Sequence, residues 1–130
     1  MQRLSFKALQ QEYTILTGRG LQLQGGIFHH PNCDYSIAFS VTGVSFYHDE
    51  FVRGLWKYSL QGKVGDQDLT TRLNAGLLKS GRKIVVIQKV GEGEYVLHGI
   101  YEYRGQLETL YHPGIDGVER KMYRAVLHKL

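Results

Sequence analysis

Apolar positions change their spacing several times along this chain, and each change marks an element. Tyr35 to Val41 alternates weakly and is rich in strand formers, with Asn32 and Asp34 before it and Gly43 after; this predicts a strand. Leu55 to Leu60 predicts a second, ended by the loop Gln61-Gly62-Lys63-Val64-Gly65. The spacing then becomes helical. Leu69, Leu73 and Leu77, with Gly76 beside them, fall on one face at three- and four-residue intervals. Asp66 stands where a carboxylate caps a first turn, and Gly81 where a helix ends. Ile84 to Val90 is a continuous apolar strand, Gly91-Glu92-Gly93-Glu94 a hairpin turn, and Tyr95 to Tyr103 its return. A loop around Pro113, Gly114 and Gly117 leads to a closing strand from Arg120 to Leu130. Phe6 to Leu16 fits a short helix or an opening strand equally well. The expected fold class is α+β: about six strands in a curved β-sheet or partly open β-barrel, with one or two helices.

Composition adds limits. With 130 residues and no repeat or low-complexity tract, 1–130 reads as one domain large enough for its own core. Sixteen Gly, nine Tyr and five Phe suit strands joined by tight turns. The net charge of +4 suits a polyanionic partner without specifying one. A single cysteine, Cys33, excludes an internal disulfide and a cysteine-built zinc site, and points to a reducing compartment. No apolar run reaches the roughly 20 residues that cross a bilayer. The first residues, Met1 to Ser5, lack the apolar stretch of a signal peptide. A soluble, cytoplasmic protein with no membrane partner is expected.

Catalytic chemistry finds little support. His29, His30, His48, His98, His112 and His128 show no HxxxH or HExxH spacing, so no metal is expected. Ser40 and Ser59 lack a nucleophile-elbow context, and no glycine pair is followed by the Lys-Ser/Thr of a phosphate loop. Neither an HNH nuclease cluster nor a cofactor site is expected. The aromatics are more informative. Phe46-Tyr47-His48-Asp49-Glu50-Phe51 and Leu55-Trp56-Lys57-Tyr58 set rings beside two acids. Such rings pack in cores, yet a carboxylate next to stacking rings also suits a nucleobase, because it accepts from the exocyclic amine of cytosine.

From Leu23 to about Tyr103 an ordered series of segments resembles the SRA domain (SET and RING finger associated, also called YDG). Gln24-Gly25-Gly26-Ile27 resembles its Ala-Gly-Ile segment, Tyr35-Ser36-Ile37-Ala38-Phe39 its Tyr-Ser-Leu-Val-Leu strand, and Tyr47-His48-Asp49-Glu50 its Tyr-Glu-Asp-Asp segment. Trp56-Lys57-Tyr58-Ser59-Leu60-Gln61-Gly62 resembles its Phe-Thr-Tyr-Thr-Gly segment. Gly65-Asp66-Gln67-Asp68-Leu69-Thr70, followed by Asn74 and Leu77, resembles its Asp-Gln-Lys-Leu-Thr helix start, and Gly81-Arg82-Lys83-Ile84-Val85-Val86 its next strand. The bacterial forms found in modification-dependent HNH restriction endonucleases look most similar.

The resemblance implies a reader of double-stranded DNA that flips 5-methyl- or 5-hydroxymethylcytosine into an aromatic pocket. Tyr47 and Tyr58 would sandwich the base, with Trp56 beside them; Asp49 or Glu50 would accept from N4, and Ser59 would stand near the ring. Gln24 would enter the vacated space, with Gln22 on the same loop. Arg19, Lys57, Lys63, Arg72, Lys79 and Arg82 would meet phosphate. An HNH nuclease domain in a longer native chain would be the associated partner. Three departures bear on this. Leu97-His98-Gly99 replaces Tyr-Asp-Gly, the long finger loop is cut to Lys63-Val64-Gly65, and the spacing from Asp66 to Asn74 is one residue longer. The first two count against CpG specificity. The alternative is a PUA-like module binding modified RNA, which single-stranded RNA affinity would favour.

Overall fold

The computed structural model describes residues 2–23, 25–43 and 47–130. The ambiguous first segment is a helix, α1 (Phe6–Thr17). Ser5 caps it by accepting from the Ala8 N–H at 3.1 Å, and Gly18 closes it in the left-handed conformation. The strands that follow are β1 (Ile27–His29), β2 (Tyr35–Val41), β3 (Glu50–Val52) and β4 (Leu55–Ser59). Helix α2 (Arg72–Leu77) precedes β5 (Lys83–Gly91), β6 (Glu94–Pro113) and β7 (Glu119–Lys129). All seven strands form one sheet in the order β1-β2-β5-β6-β7-β4-β3. Only β2 and β5 run parallel; every other pair is antiparallel.

The centre of the sheet is buried on both faces. Ile37, Val85 and Ile87 pack with Leu9 and Tyr13 of α1. The alternate side chains, Ala38, Ile84 and Val86, pack with Trp56, Tyr58, Leu77 and Leu127. Trp56 and Tyr58 belong to β4, which lies four places from β2 in the sheet, so the sheet must curl until its ends face each other. Register shifts in β5–β6 and in β6–β7, with Gly99 and Gly105 at positive φ, supply the bend. The result is a curved, open mixed sheet, the first of the two forms that the pattern predicts.

Two expectations need correction. Helix α2 does not start at Asp66. Thr71 is its N-cap and Leu78, not Gly81, its C-cap, so it has only six residues, while Asp66 accepts instead from the Lys121 N–H at 2.8 Å. The leucine spacing was a sound guide to burial, since Leu69 and Leu73 do pack on the core. The intervening segment is nevertheless held open by Gln67, whose amide serves the Leu60 carbonyl and the Tyr123 N–H. Second, β6 runs ten residues beyond Tyr103, because the 104–106 stretch is a bulge and not a loop.

Candidate nucleic-acid interface

Alternation along β4 turns Trp56 and Tyr58 inward and Lys57 outward. The β3–β4 turn is tight, with Arg53 and Gly54 both at positive φ. It brings the chain just before β3 across the end of β4, where Ser59 clamps it. The Ser59 hydroxyl accepts from the His48 N–H at 2.8 Å, and the Ser59 N–H donates to Asp49 Oδ1 at 2.6 Å. The hydroxyls of Ser40 and Ser59 also donate to this carboxylate. Burial nonetheless pushes Asp49 above the usual carboxylate range, against the pull of those donors and of Arg124. Tyr47 reaches Gly62, accepting its N–H at 3.3 Å.

These side chains line one cavity of about 760 Å³ between the two ends of the curled sheet. Its aromatic part includes Tyr47, Phe51, Trp56 and Tyr58 and its polar part Asp49, Ser59, Gln61, Ser40, Thr42 and Gln88; Leu23, Gly25 and Lys63 are also on its wall. That size falls within the roughly 300–1,000 Å³ of small-molecule sites. Tyr58 is a structural wall. Its ring is 1% exposed and its hydroxyl donates to the carbonyls of Gly26 (2.8 Å) and Phe39 (3.0 Å), joining the two sheet ends. Burial holds the phenol well above its ordinary range. A Cβ at Gly26 would collide with the Gln61 amide and come within 2.9 Å of the Tyr58 hydroxyl, which explains the glycine there.

The two acids take different positions. Asp49 lines the cavity; Glu50 is exposed, faces Arg124 at 3.4 Å and lies outside it. The predicted cationic set is dispersed. Lys63 lines the cavity and Gln22 is exposed on the segment leading to Leu23. Lys57 turns to the outer face, where Glu108 pairs with it at 3.0 Å and with Arg124 at 2.7 Å. Arg72, Lys79 and Arg82 surround His29, near the opposite end of β2, and Arg82 donates to the Cys33 carbonyl at 3.1 Å. Arg19 lies on the His30 side of the molecule. Gln24 and Phe46 fall outside the described residues.

Sequence reasoning set Phe51 in the aromatic cluster but gave no place in the cavity to Ser40, Thr42, Gln61 or Gln88, nor to His98 behind it. Ser40 and Gln88 carried a usable signal, since both are polar positions inside otherwise apolar strands. His98 is 6% exposed, packs edge-on to Trp56 at 4.8 Å and bonds Gln88 Oε1 through Nε2 at 3.0 Å. Burial, helped by Lys129, lowers its pKa to about 4. His48 and His112 touch through Nε2 and Nδ1 at 2.9 Å. Among the described residues there is no group of three metal-ligating side chains, and no helix long and apolar enough to cross a membrane.

A curved mixed sheet with two helices in this order is an SRA-like fold, shared with DNA recognition domains of modification-dependent restriction endonucleases. The sulfur-binding and SRA domains of ScoMcrA, complexed with phosphorothioated DNA, superpose with a TM-score of 0.67 at 20% identity, covering 98% of this chain and 38% of that one. The DNA recognition domain of the cytosine modification-dependent endonuclease LpnPI gives 0.65 at 15% identity, covering 95% and 67%. KRYPTONITE, in complex with mCHH DNA, a histone H3 peptide and SAH, gives 0.55 at 16% identity, covering 99% and 26%. This chain thus spans well under half of the ScoMcrA chain. No protein-family model and no curated protein matches the sequence.

Proposed function

We propose that this chain reads double-stranded DNA carrying a 5-modified cytosine, by taking the flipped base into the cavity of Tyr47, Asp49, Trp56 and Tyr58. The observation that carries this reading is the Asp49 carboxylate, fixed by Ser59 at the wall of an aromatic-lined cavity. A carboxylate accepts from the N4 amine of cytosine and offers nothing comparable to the O4 of thymine. Ring stacking contributes roughly 1–3 kcal/mol per base, enough to offset the few kcal/mol of unpairing. Tyr47, half-buried on the chain before β3, is the ring placed to cover the base. Tyr58, locked into the seam, closes the far wall. Lys63, on the cavity wall, and the exposed Gln22, next to Leu23, would meet the DNA backbone. The role is recognition, and cleavage would fall to a nuclease domain in a longer protein, as in the restriction enzymes that share the fold.

The test is binding to one duplex carrying cytosine or 5-methylcytosine at a single position, at fixed salt, with Tyr47→Ala alongside. A fluorescent base opposite the mark reports flipping. Tighter binding of the modified duplex, lost in Tyr47→Ala, supports the reading. Equal binding of both duplexes with a silent Tyr47→Ala sinks it, and preference for single-stranded modified RNA would favour a PUA-like role.

A further inference from the structure

The hydroxyl of Ser59 accepts from the His48 N–H and spends its only hydrogen on Asp49, so it has none to donate to a substituent on the base. Polar groups stand elsewhere on the cavity wall. Ser40, which donates to Asp49, is in register with Gln88 on the neighbouring parallel strand. That sets Gln88 about 4.8 Å to the side of Ser40. The Gln88 amide is held at both ends. His98 Nε2 bonds Oε1 at 3.0 Å, and the amide Nε2 donates to Thr42 Oγ1 at 3.0 Å. His98 is itself wedged against Trp56 and Phe51, so the orientation of the amide is fixed by packing. Among the described residues, these bonds leave the Gln88 amide nitrogen one hydrogen and the Thr42 hydroxyl its own. Both residues line the cavity.

The geometry points to Gln88, with Thr42, as the subsite that reads the 5-substituent of the flipped cytosine, and to an oxygen-bearing substituent as the one preferred. This rests on the proposed flipped-cytosine reading of the cavity. N4 and the 5-substituent sit on adjacent ring atoms. A ring with N4 on Asp49 and C5 toward β5 therefore brings the substituent to Gln88. A methyl group buried there leaves oriented donors without an acceptor, whereas a hydroxymethyl oxygen accepts from them. A site built on such donors discriminates against the analogue that lacks the acceptor. Gln88 touches the ligand; His98 is a positioning residue that acts through it.

The experiment measures Kd for one duplex carrying cytosine, 5-methylcytosine or 5-hydroxymethylcytosine, with the wild-type chain and with Gln88→Leu, Thr42→Val and Tyr47→Ala. The expected wild-type preference for hydroxymethyl over methyl is about two- to tenfold, the size of one net hydrogen bond. Gln88→Leu should level those two marks while both still bind better than cytosine. That retained preference also shows the variant is folded. Thr42→Val, at an exposed position, should reduce the hydroxymethyl advantage without touching the methyl affinity. Equal wild-type affinity for the two marks overturns the subsite and leaves the reader intact. So does a Gln88→Leu loss spread evenly over all three duplexes, which would place the amide on N3. No preference for either mark over cytosine, with Tyr47→Ala silent, overturns the reader and the subsite together.

Discussion

At the scale of single residues, Asp49 concentrates the chemistry of the cavity. Its carboxylate is oriented by a backbone N–H and two hydroxyls, so removing the charge leaves those donors in place. Asp49→Asn is expected to weaken binding of the modified duplex by about 1.5–3 kcal/mol, the usual range for a hydrogen bond to a charged group. Titration against labelled DNA would read this as a loss of roughly ten- to a hundredfold. Glu50→Gln, outside the cavity, should leave that affinity unchanged. His98 makes a different demand, on stability. Its ordinary pKa of 6.5 falls to about 4 in the folded protein. Below pH 6.5 the unfolded chain takes up a proton that the folded chain refuses until about pH 4. Stability attached to His98 is therefore complete above 6.5 and lost as the pH drops toward 4, by ~3 kcal/mol at ~1.4 kcal/mol per pH unit. His29 and His30, also lowered by burial, act in the same direction. Denaturant unfolding at pH 7 and pH 4.5 should show His98→Gln losing less stability with acid than wild type.

At the scale of elements, the seam between β2 and β4 decides the shape of the site. Gly26→Ala sets a methyl against the Gln61 amide and the Tyr58 hydroxyl. It should destabilise the fold by about 1–3 kcal/mol, as overpacking does, and lower the midpoint of a thermal melt. Much of this architecture was legible in the chain. The alternation in Tyr35–Val41 and Leu55–Leu60, and the hairpin at Gly91–Glu94, gave strands close to those observed. The short β1 and β3 escaped because three residues carry no period. Asp66 misled because a carboxylate before a leucine repeat reads as a cap, whereas the tertiary fold employs it on the Lys121 N–H. The aromatic part of the site was visible as a cluster. The polar part was not, because its residues meet only through the parallel pairing of β2 with β5, which no local pattern announces.

Across the whole molecule, charge is unevenly placed relative to the cavity. Lys63 stands at it, while Arg72, Lys79 and Arg82 gather around His29 near the far end of β2. If DNA sits over the cavity, Lys63→Ala should weaken binding of modified and unmodified duplexes alike. It should also reduce the slope of log affinity against log salt by about one. Arg82→Ala should leave that slope unchanged, since its guanidinium is engaged with the Cys33 carbonyl on another part of the surface. A salt titration of both variants separates a duplex lying over the seam from one lying along β1.

The closure made by Tyr58 also bears on how the chain reaches this state. Its hydroxyl meets the carbonyls of Gly26, just before β1, and of Phe39 in β2, while β4 itself joins the sheet through β7, much later in the chain. Contacts between residues so distant in sequence make for slow folding, because loop entropy is lost before they form. The cavity is thus absent from any state in which the two ends of the sheet are apart. Under the proposed reading, a nascent or partly unfolded copy would hold no mark.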